Sequence, residues 1–151
     1  MWWLWSLVVH VLHSPLFPST PWLHLHRSVV LPETQICNTL ENTYVLDFVP
    51  NVNVTFRVIA RLLLGNEIPG TLRMFYFSSI QKQHLIQTLH RRIEQGDYIT
   101  DNEQIGQILE KNGLNKTYFT SWNPEYNLYN HNCWHFCWHF CQRVFTELAQ
   151  T

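Results

Sequence analysis

Residues 131–141 read HNCWHFCWHFC, a tandem of Cys-Trp-His-Phe at a spacing of four. On an α-helix a period of four aligns equivalent side chains along nearly one stripe. Cys133, Cys137 and Cys141 then share a face with Phe136, Phe140, Val144 and Leu148, while His131, His135 and His139 form a second stripe nearby. Asn132 can cap this helix, which should run to about Ala149. An apolar stripe of that length has to be buried against another element. The expected fold is therefore α+β, a small antiparallel sheet packed against the C-terminal helix.

The strands for such a sheet can be read upstream. Arg27–Leu31 (RSVVL), Thr43–Phe48 (TYVLDF) and Thr71–Phe77 (TLRMFYF) are rich in β-branched and aromatic residues. The polar stretch Pro32–Asn42 reads as a loop, which makes the first two strands a plausible antiparallel hairpin. Asn53 can cap a helix over Val54–Leu64 that stops at Gly65. Ser78 with Gln81 resembles a capping box for a helix ending at Gly96. Asp101 with Gln104 opens another helix, closed by Gly113. With 151 residues the chain has room for one ordinary domain. It is expected at 22–151, behind an apolar segment and Pro-rich linker at 1–21.

Composition narrows the function classes. Ten Lys and Arg against eleven Asp and Glu leave a net charge of −1, so no basic field exists to hold a phosphate backbone, and no nucleic-acid partner is expected. Three of the four cysteines fall within nine residues, whereas a disulfide framework spreads them to close long loops. A reducing, intracellular setting or a thiol site fits better. No charged side chain precedes Arg27. The opening MWWLWSLVVHVL lacks the basic residues of a secretory signal, and His10, His13 and three prolines cut it short of the roughly 20 apolar residues of a spanning helix. Its tryptophans suit a membrane interface, so membrane contact through residues 1–17 is one expectation; an apolar extension covering the domain is the other. The tripeptides starting at Asn53 and Asn115 are glycosylation signals only in a secreted chain.

Among the cysteines, Cys133 stands apart. It lies in the first helical turn, where unpaired N–H groups and the helix dipole favour an anion and so a nucleophilic thiolate. Cys137 and Cys141 lie deeper, where packing as small apolar residues explains them. A thiol nucleophile needs a base. His24 and His26 stand at the start of the first strand, and His26 is preferred because the strand holds it. Asp47, among apolar neighbours in YVLDF, is costly to bury unless paired, and a histidine on the adjacent strand is the obvious partner. Surface histidines and an Asp-capped turn before Pro50 are the plainer explanations of the same residues. Zinc binding by the Cys and His stripes is an alternative, but i and i+4 cysteines with histidines between them do not converge on one tetrahedral point.

Histidine on one strand, a polar residue on the next and cysteine opening a C-terminal helix resemble the circularly permuted papain-like thiol enzymes. These include the lecithin retinol acyltransferase-like proteins and PPPDE-type peptidases. The segment Tyr129-Asn130-His131-Asn132-Cys133-Trp134-His135-Phe136 looks like their motif of Asn-Cys, any residue, a polar residue and Phe. YVLDFVP and VIARLLLGNEIPGTLR look like an uncharacterised plant and algal branch of the group. The resemblance runs from about Leu23 to Leu148. It implies a permuted papain-like domain in which Cys133 is the nucleophile, His26 (or His24) the base and Asp47 the orienting residue. A thiol hydrolase or acyltransferase is implied, acting on the ester or amide carbonyl of an acyl or peptide substrate, with no cofactor and no metal. Trp134 stands where the acyltransferases carry Glu, and the residues around His26 lack their glycine, so the resemblance specifies a reaction type and no substrate. A non-catalytic member, serving as a binding or membrane-associated module, would share the same residues.

Overall fold

The structure is a computed structural model and describes residues 10–14, 26–53, 55–114 and 117–149, with side chains at 26–53, 55–114, 117 and 119–143. The strands are β1 (His10–Ser14), β2 (His26–Leu31), β3 (Thr34–Ile36), β4 (Thr39–Pro50), β5 (Ile68–Gln81) and β6 (Glu125–Tyr126). The helices are α1 (Phe56–Leu63), α2 (Leu85–Gln95), α3 (Asn102–Glu110), the single turn α4 (Thr117–Thr120) and α5 (Cys133–Ala149). The chain is α+β. Its antiparallel sheet runs β1-β2-β4-β5-β6, with β3 pairing beside β4.

The pleat divides the core in two. Val29, Leu31, Leu46, Phe48, Leu72 and Met74 face one way and pack with Phe136, Cys137 and Phe140 of α5 and Ile105 and Leu109 of α3. The alternate residues Val30, Val45, Phe75 and Phe77 face the other way, under Leu85 and Leu89 of α2. Both faces being covered explains why these strands are runs of apolar residues rather than clean alternations. The expected stripe of α5 is buried at Cys133, Phe136, Cys137 and Phe140, while Trp138 on its opposite side is 64% exposed. Positions 144 and 148 lie beyond the described side chains.

Several boundaries differ from those read in the sequence, each for a local reason. Pro32–Asn42 is not a plain loop. It holds β3 and the start of β4, joined by a tight turn in which Cys37 takes a positive φ of 54°, a conformation open to few non-glycine residues. The two strands expected to form a hairpin are paired, but this smaller hairpin sits between them. β1 lies inside the segment read as apolar extension and linker, and pairs along β2 from Ser14↔His26 to His10↔Val30. Thr55 caps α1 in place of Asn53, its Oγ1 accepting from Val58 N at 3.3 Å. Ser78 and Gln81 do not cap a helix: they belong to β5, which outlasts the expected strand at both ends, and α2 begins only after a 3₁₀ turn over Lys82–His84. Pairing of Thr39 with Gln81 continues the ladder through that point, and tertiary pairing outweighs a local cap. Gly96 ends α2 in the left-handed region and Asp101 caps α3, both as expected.

Gly70 is required by close approach. A Cβ there would meet Phe48 Cζ at 2.7 Å and the Pro124 carbonyl oxygen at 2.9 Å, where β5 passes under the chain leading to β6. Among the described residues no helix is long and apolar enough to cross a membrane.

The two sides of α5 predict opposite responses to truncation. Phe136→Ala should cost about 3–5 kcal/mol, and Trp138→Ala should stay within about 0.5 kcal/mol. Urea denaturation of the two variants checks the placement of the helix.

Candidate active site

Asp47 sits in the middle of β4 and is 2% exposed, so it is no turn residue. Directly opposite on β5 stands Arg73. The guanidinium grips the carboxylate with both arms, Nε donating to Oδ1 at 2.9 Å and Nη2 to Oδ2 at 2.7 Å. His26, the first residue of β2, donates from Nε2 to Asp47 Oδ2 at 2.8 Å. Carrying the register one residue beyond Val29↔Leu46 sets Ser28 across from Asp47. His26 therefore reaches the carboxylate along a cross-strand diagonal, within range of a long side chain. Ser28 Oγ stands 3.4 Å from the same ring nitrogen.

By the pleat, this row belongs to the face of Val30, Val45 and Phe75, whereas α5 packs on the opposite face. His26 opens β2 and Cys133 opens α5. The two meet at these ends, where the Cys133 side chain interacts with the imidazole. Nδ1 of His26 is buried and makes no close hydrogen bond. Cys133, His26 and Asp47 are thus brought together. His24 lies outside the described residues.

The start of α5 is built by asparagines. Asn132 Oδ1 accepts from Trp134 N at 2.9 Å and His135 N at 3.2 Å, as a cap should, and its Nδ2 donates to Leu128 O at 2.5 Å. One turn earlier, buried Asn127 accepts from Tyr129 N and Asn130 N at Oδ1 and donates from Nδ2 to Gly65 O. This loop sets Cys133 beside a cleft of about 530 Å³ lined mainly by apolar surface, with Tyr126, Leu128, Trp134, Trp138 and Arg27 among its walls. The Arg27 guanidinium stacks 3.2 Å from the centre of the Trp134 ring.

Electrostatics separate the groups. Burial alone pushes the His26 imidazole down, but the Asp47 hydrogen bond and then Cys133 outweigh it and the pKa is pushed up to about 9. Burial likewise opposes ionisation of Asp47, yet the Arg73 charge and its hydrogen bonds, helped by His26, hold this carboxyl well below the usual range. Burial, and then the neighbouring Cys133 side chain, push the Tyr126 phenol up. Burial pushes the Cys137 and Cys141 thiols up.

Arg73, Tyr126 and Ser28 were missed in the sequence. Arg73 carried a readable signal, because a cation inside TLRMFYF needs a partner as much as Asp47 does inside YVLDF. Tyr126 and Ser28 carried none. The histidine stripe disperses: His131 stacks on Trp122 at 4.6 Å, His135 Nδ1 lies 2.9 Å from Asn132 Oδ1, and His139 meets the edge of Trp122. Among the described residues no three His, Cys, Asp or Glu side chains converge on a metal position. No protein-family model, curated protein or solved structure matches the chain.

A pH dependence of stability follows. Folding raises the His26 pKa from 6.5 to about 9, so its contribution is fully present below pH 6.5 and is lost as the pH rises to about 9, a loss of about 3 kcal/mol. The Asp47 contribution has the opposite sign, present above its unfolded pKa and lost as the pH falls toward its depressed one. Urea melts from pH 6 to 9.5 should show the decline, and His26→Asn should flatten it while lowering stability at pH 6.

Proposed function

We propose that the chain is a cysteine-dependent hydrolase or acyltransferase acting on an ester or amide carbonyl. The observation that carries this reading is the chain of contacts from Asp47 through the His26 ring to the Cys133 side chain. Asp47 holds Nε2–H, so Nδ1 is the nitrogen that takes the Cys133 proton. The first turn of α5 and the imidazolium then stabilise the thiolate.

The thiolate attacks the carbonyl carbon, and the oxygen gains the electron pair. The Tyr126 hydroxyl, placed against Cys133, and the N–H groups of the first turn are the donors for that oxyanion. Collapse expels the alkoxide or amine, which takes the proton from His26 and leaves a thioester on Cys133. Water or a second nucleophile, deprotonated by His26, attacks the thioester and releases the thiol. The acyl portion lies in the apolar cleft between Leu128, Trp134 and Trp138. One observation favours the reading as a non-catalytic member of the same fold. Arg73 binds both oxygens of Asp47, an arrangement that also serves to hold the sheet.

Iodoacetamide labelling with peptide mapping at pH 7 tests the proposal. Cys133 should be modified well before Cys137 and Cys141, with exposed Cys37 as the internal reference. His26→Ala should slow Cys133 labelling and leave Cys37 unchanged. Equal rates at Cys133 and Cys137, or indifference to His26, would overturn the catalytic reading. Turnover of p-nitrophenyl butyrate should vanish in Cys133→Ser, and Tyr126→Phe should lower it about 10²-fold with the fold retained by circular dichroism.

A further inference from the structure

We propose that α1 is an interfacial helix that docks the protein on an anionic lipid surface. Its inner side, Val58 and Leu62, packs into the core. Its outer side is apolar too, with Phe56 88%, Leu63 61% and Leu64 79% exposed. A soluble surface rarely leaves three large apolar side chains together on two turns of helix without a partner.

Charge decides what that partner is. Arg57 and Arg61 lie on the exposed side beside Phe56 and Leu64, and no acidic residue occurs from Thr55 to Leu64. Long cationic side chains beside an exposed apolar face can bury their stems while the guanidinium groups reach phosphate. The whole chain carries a net charge of −1 with these two arginines included, so no general positive charge draws it to an anionic surface and the attraction is local to this helix. Two arginines near an anionic surface should favour it over a zwitterionic one by about thirtyfold.

The helix is also tied to the cleft. Tyr129, itself exposed, donates its hydroxyl to Leu63 O at 2.6 Å, and Asn127 holds Gly65 O at 2.9 Å. Both belong to the turn that leads into Cys133, so docking through α1 places the entrance to the cleft beside the lipid headgroups. The proposal does not depend on Cys133 being reactive, and it rests on α1 and not on the membrane contact expected of residues 1–17.

Flotation of the full chain with phosphatidylcholine vesicles, with and without 30% phosphatidylserine, tests it. The chain should float with the anionic vesicles, Phe56→Ser/Leu64→Ser should reduce the bound fraction at least tenfold, and Arg57→Gln/Arg61→Gln should remove the preference for phosphatidylserine. Thermal melts of both variants should match the parent, since these side chains are exposed. Three results would overturn it. The first is a parent chain that binds neither vesicle, and the second is a serine variant that binds as well as the parent, which would assign the attraction to another segment. The third is a serine variant that loses self-association or melts at a lower temperature with vesicle binding unchanged, which would assign the face to a second copy or to the chain itself.

Discussion

A carboxylate buried in the centre of a sheet governs the rest of the site. Asp47 could not remain ionised there alone, since burying an unpaired charge costs far more than any single contact returns. Arg73, directly across the ladder, supplies the counter-charge with two parallel hydrogen bonds, and His26 adds a third to Oδ2 from the strand on the other side. Three strands are thereby tied by one network whose members are costly to remove singly. The same network fixes the plane of the imidazole and leaves only one of its nitrogens for other work.

That division of labour explains how a mostly apolar domain keeps a polar centre. The row of Ser28, Asp47 and Arg73 is directed to the α2 face, away from the packed stripe of α5. The polar row and the cysteine stripe meet where β2 and α5 begin, at His26 and Cys133. Cys133 and Cys137 are equally buried, yet Cys133 borders a cleft and an imidazole while burial keeps the Cys137 thiol protonated. Depth below the surface does not distinguish two residues of one stripe; their neighbours do. The asparagine turn from 127 to 132 is therefore as much a part of the site as the thiol, because it sets where the helix starts.

Patterns with one strong periodic signal were legible in the sequence. The tandem at 133–140 could only be amphipathic as a helix, and Asn132, Gly96 and Asp101 act as helix boundaries because their chemistry is local. The three strand cores were legible for the same reason, being short apolar runs rich in β-branched residues. Pairing decided the rest. β1 looked like an extension because a two-histidine pentapeptide has no strand signal of its own, and Pro32–Asn42 looked like a loop because β3 within it is short, exposed and mostly polar. Ser78 and Gln81 had the letters of a cap but were claimed by the longer ladder with β4.

Sequence by itself determined the helix that carries Cys133, the face it buries and the need of Asp47 for a partner. These follow from periodicity, end-capping and desolvation, which act over a few residues. Tertiary structure alone decided which partners met. The register of β4 on β5 chose Arg73, the diagonal from β2 chose His26, and the approach of β6 placed Tyr126 against the thiol. The first two contacts join residues 26 and 21 positions apart, and no local property of the chain encodes them. They arise because the sheet has one register that buries both of its faces at once.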